Sequence, residues 1–160
     1  MPRRRPSRMA TPRVLAAILV LGWSGLGCKD SSSAPTSQPA RTGTDLASLE
    51  RMVNLPRRPV SVQWRKAIRG APGIGPTDWE VLAVLEYSEA ETQALLATLK
   101  PTDLPPPTLD DGGWLPAATR KSLAGARAYD ASAFYRPPLQ HGTVLHVPGT
   151  NTFVLSLFTM

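Results

Sequence analysis

The chain holds one thiol, Cys28, and two imidazoles, His141 and His146, so few side chains can serve as nucleophile or base. A cysteine thiol ionises near pH 8.5, which makes it a far better nucleophile than a serine hydroxyl. Cys28 is the sole cysteine, so no intramolecular disulfide can form. Imidazoles suit acid–base work and metal ligation. Residues 141 and 146 have an odd separation, however, and on an extended strand such side chains point to opposite faces. Asp110 and Asp111 form an acidic pair on a loop, which a hydrated turn explains. Either one, with either histidine, is the smallest set that would make a hydrolase. Ser132, His141 and Asp130 can be drawn as a triad, yet no G-x-S-x-G elbow surrounds any serine. Residues 70–76 (GAPGIGP) lack the lysine and hydroxyl of a phosphate loop and contain no G-x-G-x-x-G, so they read as a turn. With so few ligands, no metal or cofactor is expected.

The aromatic residues carry a different chemistry. Trp64 and Trp79 sit at strand ends, where indoles pack in cores or at rims. Trp114 follows Asp110-Asp111-Gly112-Gly113 in a proline-rich loop, and an exposed aromatic there marks a contact site. Tyr135-Arg136-Pro137-Pro138 is a second such segment. Trp114, Tyr135 and Arg136 are the predicted binding residues.

The surroundings of Cys28 give its thiol a purpose. Residues 1–13 are basic and polar, 14–21 (VLAAILVL) are an unbroken apolar run, and 22–27 (GWSGLG) are mostly small. Positive charge, a short apolar helix and small residues before a cleavage point are the layout of an export signal. A spanning helix needs about 20 apolar residues, more than this run supplies. Met9 offers a second start that leads to the same product. The segment resembles a bacterial lipoprotein precursor, on the strength of Leu26-Gly27-Cys28, the end of a lipobox. Gly25 stands where leucine is usual, and Leu26 where a smaller residue is commoner. In that family a diacylglyceryl group joins the cysteine sulfur, and cleavage frees the cysteine amine. The resemblance implies a signal peptide over 1–27 and lipid (palmitate among the chains) on Cys28. It also implies a place in the cell envelope facing the periplasm or the exterior. Lys29, not being acidic, implies the outer membrane.

Charge supports removal of this leader from any functional reading. The chain carries 18 basic and 12 acidic residues. Arg3, Arg4, Arg5, Arg8 and Arg13 all precede Cys28, and no acid does, so 13 bases face 12 acids in the remainder. A near-neutral body lacks the positive field that nucleic acid demands, so nucleic-acid binding is excluded as the default.

Residues 28–44 read as the lipidated cysteine and a disordered Ser/Pro-rich tether. Its 16 residues after Cys28 span about 50 Å drawn out, or about 20–25 Å as a coil. Residues 45–160 read as one globular domain, long enough to fold without staples.

Within it, 45–55 place Leu46, Leu49, Met52 and Val53 on one helical face, with Thr44 as N-cap and Pro56 as the stop. Residues 60–65 alternate Val60, Val62 and Trp64 against polar neighbours, as a half-buried strand does. Residues 79–87 (WEVLAVLEY) are apolar on both faces in their middle and read as the central strand. Ser88 and Glu91 have capping-box spacing ahead of a helix that buries Leu95, Leu96 and Leu99. Prolines 105–107 favour a stiff extended rod. Pro116 starts a short helix that Gly125 ends, and Asp130 caps a single turn over 131–134. Residues 143–147 and 152–158 flank a Pro-Gly-Thr-Asn turn as a hairpin, with Phe153, Leu155 and Leu157 pointing one way. The expected fold is a small single-domain α+β protein with a mainly antiparallel sheet of about four strands and helices packed on one face. The function expected is a membrane-tethered, non-enzymatic module for an envelope protein or cell-wall partner. An inhibitor or immunity-type protein is one version, and a small envelope hydrolase is the alternative.

Overall fold

The computed structural model describes residues 39–69 and 77–160. The segment read as a signal peptide, Cys28, the first ten residues of the segment read as a tether and the glycine-rich 70–76 lie outside the described residues.

The expected α+β architecture forms, with six strands where about four were expected. In chain order these are β1 (Arg41–Gly43), β2 (Ser61–Ile68), β3 (Trp79–Glu86), β4 (Arg127–Asp130), β5 (His141–His146) and β6 (Thr152–Phe158). The helices are α1 (Leu46–Met52), α2 (Glu89–Leu96) and α3 (Ala117–Ser122). The sheet order is β1-β2-β3-β6-β5-β4, and every pairing is antiparallel. As read from its sequence, β3 is interior, and Val81 to Leu85 are all buried.

The two additional strands are the edges. β1 takes residues assigned to the tether, so the folded part begins earlier than 45. It is seated by Gly43, where a Cβ would run into the Trp64 ring. The Trp64 indole Nε1 then donates to the Asp45 carbonyl at 3.1 Å. β4 is covered on its outer side by the chain leaving α2. Thr102 N donates to Ala128 O at 3.0 Å, and Asp130 N donates to Lys100 O at 2.9 Å. That covering satisfies an edge that would otherwise invite another strand.

Local rules explain most elements. Asp45, rather than Thr44, caps α1: its Oδ1 accepts from Ser48 N at 2.8 Å. Leu49 and Val53 are buried as the stripe required, with Leu46 and Met52 packed beside them. Ser88 Oγ accepts from Glu91 N at 3.2 Å and caps α2. Asp130 Oδ1 accepts from Ser132 N at 2.6 Å and starts the turn Ser132–Phe134. Val60 lies outside β2 and is 70% exposed, contrary to the alternation over 60–65.

The sheet is covered on both faces, not one. The first face packs Trp64, Val81, Leu85, Phe153 and Leu155 against Leu49 of α1, Leu95 of α2, Phe134 and Leu139. The second packs Leu82, Val84, Leu145 and Val154 against Leu115 and Ala126, with Leu109, Trp114 and Leu123 at its margin. Helix α3 buries no residue itself; the chain on either side of it does the covering. Each fully buried Leu or Val contributes about 1.5–3 kcal/mol relative to exposure, so the larger first layer dominates stability.

Candidate functional site

The second face is dry only in part. Towards the end of the sheet where β3 begins and β6 ends, two rungs run across three strands. Glu80, Phe158 and His141 are in register on one, and Leu82, Ser156 and Thr143 on the next. The segment 107–110 stands over these rungs and leaves a groove of about 370 Å³. Arg69, Glu80, Asp110, Ser156 and Phe158 line it, with Leu82 and Leu109 as apolar wall. A smaller cavity of about 250 Å³ shares Pro107, Gly142 and Thr143 with it and is lined also by Leu104, Tyr129, Asp130 and Tyr135. Gly142 is required where the two meet. Its φ is +143°, and a Cβ there would run into the Ser156 carbonyl.

The groove holds charge in an apolar setting. Arg65 Nη1 lies 3.4 Å from Glu80 Oε1. Burial is the leading influence on Glu80 and pushes its carboxyl above the usual carboxylate range. Arg65 and Arg69 oppose that shift, and Asp110 adds to it. The Arg69 guanidinium sits 3.6 Å from the centre of the Phe158 ring, a cation–π arrangement. His141 stacks on the same ring at 5.8 Å, coming from the neighbouring strand β5. Asp130 is held below the usual carboxylate range by its hydrogen bonds from Ser132, so it lines the second cavity as a charged group. Burial raises the Tyr135 phenol, which therefore stays a neutral donor.

The residues singled out in the sequence are separated by the fold. Trp114 is half-buried, packed at the margin of the second core rather than fully exposed. Tyr135 packs against the first core and lines the smaller cavity. Arg136 is exposed and donates to the Glu50 carbonyl at α1. Trp114 and Tyr135 thus belong to opposite layers and form no common patch.

The two histidines do lie on opposite faces. His146 is buried against Phe153 with ring centres 4.7 Å apart, and its Nε2 bonds the Thr150 carbonyl at 3.0 Å. Asp111 is also committed to structure. It accepts from Arg120, Gly113 N and Leu115 N. Asp110 lines the groove, and His141 reaches it only by stacking on Phe158. Asp130 Oδ1 accepts from the backbone N–H of Ser132. Among the described residues, no cluster of His, Asp and Glu is arranged to hold a metal ion.

Sequence reading missed Glu80, Ser156, Phe158 and Arg69 as neighbours. Glu80 had one available signal: it is a charge at the head of a strand whose same-face neighbours, Leu82 and Val84, are buried. No family model, no curated protein and no solved structure matches this chain.

Proposed function

We propose that this protein is a lipid-tethered binding module of the bacterial cell envelope, and that it holds its ligand in the groove beneath residues 104–110. The observation that carries the binding reading is the groove itself. It is a concave, partly apolar site with a few convergent polar groups, the usual form of a recognition site. The tether reading rests on the basic head, the apolar run and the position of Cys28. Two or more acyl chains on one residue hold a protein to a bilayer where a single chain does so only marginally. An envelope protein or a cell-wall fragment is the partner class, and an inhibitor of an envelope hydrolase is one form of it.

The tether is tested by expressing the full chain and its Cys28→Ser variant in a bacterium. The expected result is membrane sedimentation of the wild type, with a lipid mass on its mature N-terminus, and loss of both in the variant. A variant that is still processed and still sediments overturns the tether.

Asp110 lines the groove and His141 stacks on its Phe158 wall, and that placement favours a second reading, a small envelope hydrolase. Turnover of cell-wall peptides or glycans by the full chain, abolished in His141→Ala, would replace the binding reading.

A further inference from the structure

We infer that the groove selects an aliphatic ammonium group, as carried by a lysine side chain in an extended peptide. This deepens the binding reading and rests on it.

Three observations converge. The first is charge. Across the two cavities, which share Pro107, Gly142 and Thr143, Glu80, Asp110 and Asp130 supply carboxylates, and among the described residues Arg69 is the one cationic side chain in their linings. Arg65 offsets Glu80 from the side at 3.4 Å but is not part of either lining. The second is desolvation. Glu80 is half-buried, and burial outweighs Arg65 and Arg69 in setting its carboxyl above the usual carboxylate range. A ligand cation would restore the interaction that water can no longer supply, and in such surroundings a charge pair gains more than it does in bulk water. The third is shape. Leu82, Leu109 and Phe158 offer apolar contact for a methylene stem that ends at the carboxylates. An anionic ligand would face three carboxylates, and a purely apolar one would strip water from them without replacement.

The Phe158 ring is already in contact with one cation, Arg69. A ligand ammonium therefore belongs between Glu80 and Asp110 rather than on the ring. Arg69 adds a positive charge to the lining, which disfavours a second ligand cation.

The test titrates the full mature chain with three capped tripeptides, Ala-Lys-Ala, Ala-norleucine-Ala and Ala-Glu-Ala, followed by backbone amide shifts. The expected result is saturable shifts at Glu80, Ser156 and Phe158 with the lysine peptide. The norleucine peptide should bind about tenfold more weakly or less, the size expected when a buried charge is left without its partner. The glutamate peptide should not bind. The double variant Glu80→Gln, Asp110→Asn should lose the preference while its other amide signals stay in place. Raising salt to about 0.15 M should weaken lysine binding alone, because the ion pair is screened. Equal binding of lysine and norleucine in the groove overturns the ammonium inference and leaves the binding reading standing, as does preference for glutamate. Shifts confined to residues elsewhere, for every peptide, overturn both.

Discussion

Asp111 and Arg120 lock the segment that covers the second sheet face: Arg120 Nη2 and Nε donate to one carboxylate oxygen at 2.6 and 3.2 Å. The same carboxylate accepts the backbone amides of Gly113 and Leu115 at 3.1 and 2.9 Å. One buried side chain therefore fixes both the turn at 110–113 and the start of the chain leading into α3.

Asp111→Ala should destabilise the fold by about 1–3 kcal/mol, since it removes a charged acceptor and leaves two amides to find new partners. Equilibrium unfolding in urea measures this. Arg120→Ala should cost less, because the two backbone donors would keep their carboxylate. Equal costs for the two variants would contradict this assignment of the bonds.

Acid should expose the same interaction. The Arg120 hydrogen bonds hold the Asp111 carboxyl below the usual carboxylate range, helped by the Gly113 and Leu115 amides. In the unfolded chain the group titrates near its ordinary value of about 3.9. Its contribution is therefore complete above that value and is lost as pH falls through the lower folded value. Asp45 and Asp130 are lowered too and add to the acid sensitivity. Unfolding midpoints measured from about pH 5 down to about pH 2 should fall less steeply in Asp111→Asn than in the wild type.

The core layers make a contrast between two leucines. Leu155 is fully buried on β6 within the first layer, and Leu104 is 75% exposed on the loop. Leu155→Ala should cost about 2–5 kcal/mol through lost transfer energy and a residual cavity. Leu104→Ala should stay within about 0.5 kcal/mol. Thermal unfolding of both variants checks the difference, and a large loss at Leu104 would mean that the 104–110 segment carries packing not visible in its exposure.

The edge strand β1 depends on Gly43 lying under the Trp64 ring. Gly43→Val should displace that ring, break the indole bond to the Asp45 carbonyl and release β1. Hydrogen exchange should then accelerate at β1 and along the exposed side of β2, while β5 and β6 stay protected. Uniform loss of protection would show that the edge is not a separate unit.

Much of the fold was legible because its signals are local. The Ser88 cap, the stripe of Leu49 and Val53, the continuous apolar middle of β3 and the Pro-Gly turn before β6 each depend on neighbours a few residues away. Periodicity and capping record such relations directly. Residues 41–43 and 127–130 are too short to show a period. They became strands because Trp64 and β5 offered them partners distant in sequence. Trp114 looked like a contact residue for its composition and loop setting, and packing against Leu82 and its neighbours drew it inward.

By itself the sequence determined the α+β class, the interior strand, the C-terminal hairpin and the near-neutral charge of the chain beyond residue 28. These follow from residue type and from spacing along the chain. Tertiary structure alone decided the strand order, the covering of both faces and the groove. Antiparallel register set Glu80 beside Phe158 and Phe158 beside His141, and the 107–110 segment brought Asp110 over them. Those neighbours are separated by tens of residues, and only the pairing of strands decides which of them share a face.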